Sequence, residues 1–286
     1  MDQRAIDLYD EFTHGSMSRR ELLDRLMRIA GGTAAAYSML GVLQNDYARA
    51  AVVAEDDSRL GTETAGYDAG GTQVSGYLAR LKGGGKRPAV IVVHENRGLN
   101  PHIRDVARRL AVDGFLAFGV DALSPMGGTP ADEDKAREMI ASLDLAQTVS
   151  RIAAAVPFLA AHRESSGKVG AVGFCWGGGM VNRLAAAGTT LAAVVAYYGS
   201  TLPPEEVPKI GCPLLLHYAG KDERINAGIP AFEAALKQHG KAYELHRYEG
   251  AQHAFNNDTN AARYDKAAAD LAWGRTVAFL RKHLGT

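Results

Sequence analysis

A chain of 286 residues that is 47% hydrophobic and 22% charged is an ordinary soluble globular protein with enough apolar material for a large core. Its 32 Lys+Arg balance its 32 Asp+Glu, so no net charge draws it to nucleic acid or to an anionic membrane surface. Two cysteines, Cys175 and Cys212, exclude a disulfide framework, and with no C-x-x-C spacing and no nearby Cys/His ligand set they give no zinc site.

Residues 1 to about 60 stand apart from the rest of the chain and carry two readings. Ser18, Arg19 and Arg20 precede the small-residue apolar stretch RIAGGTAAAYSMLGVL and then Ala48-Arg49-Ala50, which resembles a twin-arginine export signal with an A-x-A cleavage site and would send the protein to the periplasm. Asp24, Arg25 and Arg28 dilute that hydrophobic region. The other reading is a folded helix in an otherwise cytoplasmic protein: Ser18 and Glu21 form a capping box, and Leu22, Leu23, Leu26, Met27 and Ile29 give an amphipathic face. With a signal set aside, no stretch is long and apolar enough for a stable membrane span.

From residue 64 onward strand-like and helical patterns alternate. A first pair of strands around YDAG and VSGYLARL leads into LKGGGKR, which reads as a solvated hairpin-like loop and, because it precedes a strand, not as a phosphate loop. PAVIVVHE is a continuous apolar run of the kind buried on both faces of a parallel sheet. Asn100 caps a helix with Pro101 at its first position, and IRDVARRLAVDG runs to a glycine stop. FLAFGVDAL is another strand, followed by helical segments over about 131–141 and 145–162. KVGAVGFC, a helix from about 177, LAAVVAYYG, PLLLHYAG, a helix over 228–239, AYELHRYEG and a last helix over about 262–283 complete the chain. The alternation predicts a single α/β domain over 61–286, a mostly parallel central sheet with helices on both faces, with residues 1–60 as a helical extension or signal.

In such a sheet reactive groups collect at the carboxyl ends of strands. Four ends carry them here: Glu95 after VVHE, Cys175 in VGFC, Asp222 in the loop after LLLHYAG, and His253 in the loop after ELHRYEG. In GFCWGGG, Gly173 and Gly177 flank Cys175 at two residues on each side, where a strand bends sharply into a helix and pushes the central side chain out above the sheet. The helix N-terminus there favours a thiolate. A nucleophile, then an acid, then a histidine after successive strands is the chain order of a hydrolase triad, with His253 accepting the proton of Cys175 and Asp222 fixing the imidazole tautomer. Cys212, at the start of an apolar run, reads as a buried core thiol.

HENRGLNPHIRDVARRL, GFCWGGG, AGKDERI and GAQHAF together resemble the dienelactone hydrolase family (carboxymethylenebutenolidases) of the α/β-hydrolase fold over about residues 64–284. YDEFTHGSMSRREL is similar to the N-terminal extension of a bacterial subgroup of that family. The resemblance implies an ester or lactone substrate, Cys175 as nucleophile, His253 as base, Asp222 as its partner, and Glu95 as a carboxylate that contacts the resting thiol and moves when substrate binds. It implies no cofactor and no metal. The backbone N–H groups of Asn96 and Trp176 would hold the oxyanion. Of the two arginines that anchor a substrate carboxylate in the family, Arg137 matches one, while HAFNND places Asn256 and Asn257 where the other would stand; Arg97 is a substitute. Tyr198 is a candidate for the pocket lining, and His94 for strand-end packing. A thiol redox protein and a non-catalytic binder on the same scaffold are the rival readings, and the sequence leaves the oligomeric state open.

Overall fold

The computed structural model describes residues 1–48 and 51–285. Of the proposed cleavage motif, Arg49 and Ala50 lie outside the described residues.

The chain begins with three helices, α1 (Gln3–His14), α2 (Arg19–Ala30) and α3 (Thr33–Leu43). Local chemistry sets their ends. The Asp2 side chain accepts from the Arg4 N–H at the start of α1, and Ser18 Oγ accepts from the Glu21 N–H, so the capping chemistry read from the sequence opens α2. Gly31 closes α2 in the left-handed region, with φ of 76°. Leu22, Leu26 and Leu43, together with Tyr9 and Phe12 of α1, form a small core of their own. No single described helix is long and apolar enough to cross a membrane.

The rest is an eight-stranded sheet. β1 (Leu60–Asp68) and β2 (Gln73–Leu81) form an antiparallel hairpin, followed by β3 (Arg87–Val93), α4 (Pro101–Val112) and β4 (Leu116–Val120). Helices α5 (Glu133–Ala141), α6 (Leu145–Ala153) and α7 (Ala155–Ala160) precede β5 (Ser165–Phe174) and α8 (Trp176–Ala185). β6 (Ala193–Tyr197), β7 (Leu214–Ala219), α9 (Glu223–Asn226), α10 (Ile229–Gln238), β8 (Tyr243–Tyr248) and α11 (Lys266–Leu284) follow. The strand order is β1-β2-β4-β3-β5-β6-β7-β8, antiparallel across β1/β2 and β2/β4 and parallel from β4 to β8.

One turn expectation is corrected. The hairpin closes at residues 69–72, where Gly70 and Gly71 take positive φ and the Ala69 N–H donates to the Thr72 carbonyl. LKGGGKR instead carries the chain from β2 past β4 to β3, because the two neighbours of β2 in the sheet are β1 and β4.

Helices cover both faces. α4 and α11 pack on one side, through residues such as Ile103, Leu110, Ala272 and Leu280, and α6, α7, α8 and α10 on the other, through Ile152, Leu159, Val181 and Phe232. Val90 to Val93 of β3 are fully buried between them. At about 1.5–3 kcal/mol for each large aliphatic side chain buried, this double burial is why the central strands read as continuous apolar runs. Six parallel strands thereby aim their carboxyl ends at one rim, on which α1 lies.

Candidate active site

The turn from β5 into α8 is where sequence most tightly dictates backbone. Cys175 sits at φ 54° and ψ −115°, a conformation that L residues rarely adopt, and its N–H donates to the Tyr197 carbonyl at 3.0 Å. A Cβ on Gly173 would lie 2.1 Å from the Gly177 carbonyl oxygen, and one on Gly177 would lie 2.3 Å from the Val93 carbonyl oxygen. Both glycines are therefore fixed by space, and together they let the chain turn tightly enough to raise Cys175 above the sheet.

Asp222 and His253 meet beside it. Asp222 serves two ends at once: its Oδ1 caps α9 by accepting from the Ile225 N–H at 3.2 Å, and its Oδ2 lies 2.5 Å from His253 Nδ1. Burial pushes the Asp222 carboxyl up, but His253 and Arg224 outweigh it and hold the group below the usual carboxylate range. His253 Nε2 is buried and has no hydrogen-bond partner among the described residues, and a ring nitrogen of His253 lies within 4.8 Å of Cys175 Sγ.

The hydrogen-bond partner of the thiol comes from the N-terminal helix. His14, the last residue of α1, places Nε2 3.2 Å from Cys175 Sγ, and its ring meets that of His253 edge-on at 4.6 Å between centroids. His14 Nδ1 lies 3.0 Å from the Asp10 carbonyl oxygen and 3.2 Å from the Asp10 carboxylate, one helical turn back. Burial alone would lower the pKa of His14, yet Cys175 and Asp10 raise it overall. Burial likewise works against the Asp10 carboxylate, and His253, His14 and Arg263 together hold it far below the usual range.

Glu95 is buried at the end of β3 but is not bonded to the thiol. Its Oε2 accepts from Asn257 Nδ2 at 2.8 Å and its Oε1 from the Tyr198 hydroxyl at 3.4 Å. Tyr198, itself at a positive φ of 38°, stays a neutral donor: burial first, then Glu95 and Cys175, push its pKa well above the usual value. Asn257, read from the sequence only as the absence of an arginine, thus orients the glutamate.

The remaining candidates divide. Trp176 opens α8 and stacks on the His94 ring at 5.3 Å, with His94 held between the Glu95 carbonyl and the Ala122 N–H. Asn96 Nδ2 donates to the Thr13 carbonyl at 2.6 Å, and neither its backbone N–H nor that of Trp176 has a protein acceptor among the described residues. Arg97 is buried, pairing through Nε with Glu133 at 3.0 Å and donating to the Tyr9 hydroxyl at 2.9 Å, so its guanidinium ties α1 to the start of α5. Arg137 lies over the Phe12 ring and donates to the Phe12 carbonyl at 2.8 Å, yet it also borders the cavity above Cys175. Arg224, which the sequence did not single out, reaches the same cavity.

That cavity has a volume of about 1270 Å³ and is bounded by the α1–α2 turn, α5, Trp176, Tyr198, Ser200 and His253. Its wall is mixed, with Ile140, Leu143 and Ile225 facing Arg137 and Arg224. A pre-formed recess of this kind, with a strained thiol and an aspartate-backed imidazole at its floor, can hold an acyl compound against a nucleophile.

The model of the dienelactone hydrolase family matches residues 74–284, and a YqhI-like model matches residues 1–30. A Bradyrhizobium protein named as a probable 2-oxo-3-(5-oxofuran-2-ylidene)propanoate lactonase is 35% identical over 222 residues, which cover 73% of this chain and 89% of the relative. The crystal structure of a dienelactone hydrolase-like promiscuous phosphotriesterase from metagenomic libraries matches with a TM-score of 0.71 at 25% identity, over 79% of this chain and 100% of that one. The dienelactone hydrolase of Anabaena variabilis shares the fold, with a TM-score of 0.61 at 24% identity over 79% of this chain and 99% of its own.

Proposed function

The chain belongs to the dienelactone hydrolase family, within the α/β-hydrolase fold and among ester and lactone hydrolases, and on that footing we propose that it cleaves its substrate through a thioacyl-enzyme on Cys175. The observation that carries this reading is the unpartnered Nε2 of His253, backed by Asp222 and facing the sulfur of a strained strand-to-helix turn.

In the proposed reaction His253 takes the thiol proton and the thiolate attacks the acyl carbonyl. The oxyanion that forms is held by the backbone N–H groups of Asn96 and Trp176, which have no acceptor among the described residues to give up. His253 then passes its proton to the leaving alkoxide, and the C–O bond breaks to give a thioester. Water, deprotonated by the same imidazole, attacks the thioester, and the acid leaves as the thiol re-forms. A lactone keeps its leaving alkoxide tethered, so deacylation must outrun re-attack.

Arg137 and Arg224 at the cavity wall support a substrate that carries a carboxylate beside its ester or lactone group. Glu95, oriented by Asn257 and Tyr198, supports a role in setting the charge around the thiol, while the direct contact expected of it is made by His14.

Thiol redox chemistry is less well supported. Cys212 packs in the layer on the opposite face of the sheet from Cys175, and burial pushes its thiol up to about 11, so it is a poor resolving partner. Assay of p-nitrophenyl acetate, a dienelactone and an aryl phosphotriester with wild type and Cys175→Ala tests the proposal. Thiol-dependent turnover of either carboxylic compound supports it, and equal rates with and without the thiol contradict it.

A further inference from the structure

Two imidazoles converge on one sulfur, and their far sides settle what they present to it. His253 Nδ1 faces the Asp222 carboxylate at 2.5 Å, and His14 Nδ1 faces the Asp10 carbonyl at 3.0 Å and the Asp10 carboxylate at 3.2 Å. Each acceptor calls for an Nδ1–H, which leaves an Nε2 lone pair on both rings directed inward. The thiol has a single proton for the two rings, and at rest its 3.2 Å contact is with His14. His253 Nε2 is left without a partner on a residue only 5% exposed. Three lone-pair donors sharing one proton in a buried pocket form an arrangement that a metal cation completes better than a proton does.

We propose that His14 Nε2, His253 Nε2 and the Cys175 thiolate form a binding site for a soft divalent cation, Zn2+ above all. One ligand atom from each of the three residues already lies within 4.8 Å of the other two. A tetrahedral zinc site, with bonds of about 2.0–2.3 Å, needs donor separations of about 3.3–3.6 Å, so side-chain rotations of roughly an ångström close it. Thiolate and imidazole donors select zinc over magnesium or calcium. Both imidazoles are backed by a carboxylate, the outer-shell arrangement that fixes metal-binding histidines. The fourth position opens on the cavity, so water or an anion completes the coordination. Binding forms a Zn–S bond as the S–H proton leaves to solvent, and any proton on His14 leaves with it, so affinity falls as pH falls. The ligands come from positions 14, 175 and 253, which is why no spacing motif marks the site.

The site stands on geometry alone; one consequence rests on the hydrolytic reading, namely that zinc on Cys175 blocks the nucleophile and makes the N-terminal helix a means of inhibition. The test is calorimetric titration of metal-stripped full-length protein with zinc chloride in two buffers of different ionisation enthalpy. Zinc-edge X-ray absorption on the loaded wild type follows. The account predicts one ion per chain, proton release, and two nitrogens and one sulfur from the protein around zinc. It predicts loss of binding in Cys175→Ser and at least about tenfold weaker binding in His14→Gln. No uptake at micromolar zinc, or a single protein nitrogen beside the sulfur, overturns it; the ligand count needs no variant and so survives a His14→Gln protein that fails to fold. Acylation of the metal-free enzyme is measured separately, so failure of hydrolysis and failure of the zinc site are told apart.

Discussion

His14 Nε2 lies 3.2 Å from Cys175 Sγ although 161 positions separate them, so the end of the first helix reaches the thiol at the floor of the cavity. The imidazole is charged more readily here than in the unfolded chain. Burial lowers its pKa, but Cys175 and Asp10 raise it further, so the folded value stands above 6.5. A group raised in the folded state contributes stability that is full below its unfolded pKa and is lost as pH rises through the folded one. Thermal unfolding of wild type and His14→Gln is therefore expected to show the larger wild-type advantage, a few degrees, near pH 6 and a smaller one near pH 9. An advantage that grows with pH would contradict the pairing.

Asp222 performs two jobs that one substitution separates. Asparagine can still cap α9 through its side-chain oxygen, so Asp222→Asn is expected to cost little stability. The amide loses the carboxylate that fixes the His253 tautomer, and turnover is expected to fall roughly 10³- to 10⁴-fold. Parallel measurement of kcat and the thermal midpoint checks this; a loss of both together would place Asp222 in the fold alone.

The turn around Cys175 tolerates no side chain at its flank. In Gly177→Ala the new methyl would meet the Val93 and His94 carbonyl oxygens at 2.3 and 2.5 Å, both backbone atoms that cannot step aside. A destabilisation of about 1–3 kcal/mol, with displacement of the thiol, is expected. Denaturant unfolding together with the rate of iodoacetamide labelling at Cys175 reads both effects.

Arg97 and Arg137 differ in what they hold. The Arg97 guanidinium is committed to Glu133 and Tyr9, so Arg97→Met is expected to cost roughly 1–3 kcal/mol and to leave the preference between carboxylate-bearing and neutral esters unchanged. Arg137 borders the cavity, and Arg137→Gln is expected to raise KM for a carboxylate-bearing lactone by about tenfold relative to a neutral ester, the loss of one charge-assisted contact. Steady-state kinetics on the two substrate types decides; the reverse pattern would exchange the roles.

Much of this arrangement is legible in the chain. The parallel sheet follows from fully buried runs such as Val90 to Val93, and the turn at Cys175 from two glycines whose space is taken by backbone. Asp222 and His253 follow because topology brings the ends of β7 and β8 to the same rim. Partners on separate elements are another matter. His14 reads as an ordinary helix-end histidine, its only local signal being Asp10 four residues earlier on the same helix face. Arg97 and Glu133 lie on distant segments, and nothing in either neighbourhood marks their pairing. Asn257 carries no sequence signal of its role, because its hydrogen bond to Glu95 spans 162 positions. Arg19–Ala30 forms a helix capped by Ser18 and packed on α1, and the capping residues are legible in the sequence.

The proposed hydrolysis runs through a covalent acyl intermediate on the sulfur. Quenched intact-mass spectrometry of wild type and Cys175→Ala, after rapid mixing with p-nitrophenyl acetate, tests it most directly. The account predicts a transient acetyl adduct that peptide mapping places on Cys175, decays as acetate is released, and is missing in the variant. Turnover with no adduct in the wild type, or an equal adduct in Cys175→Ala, would contradict it.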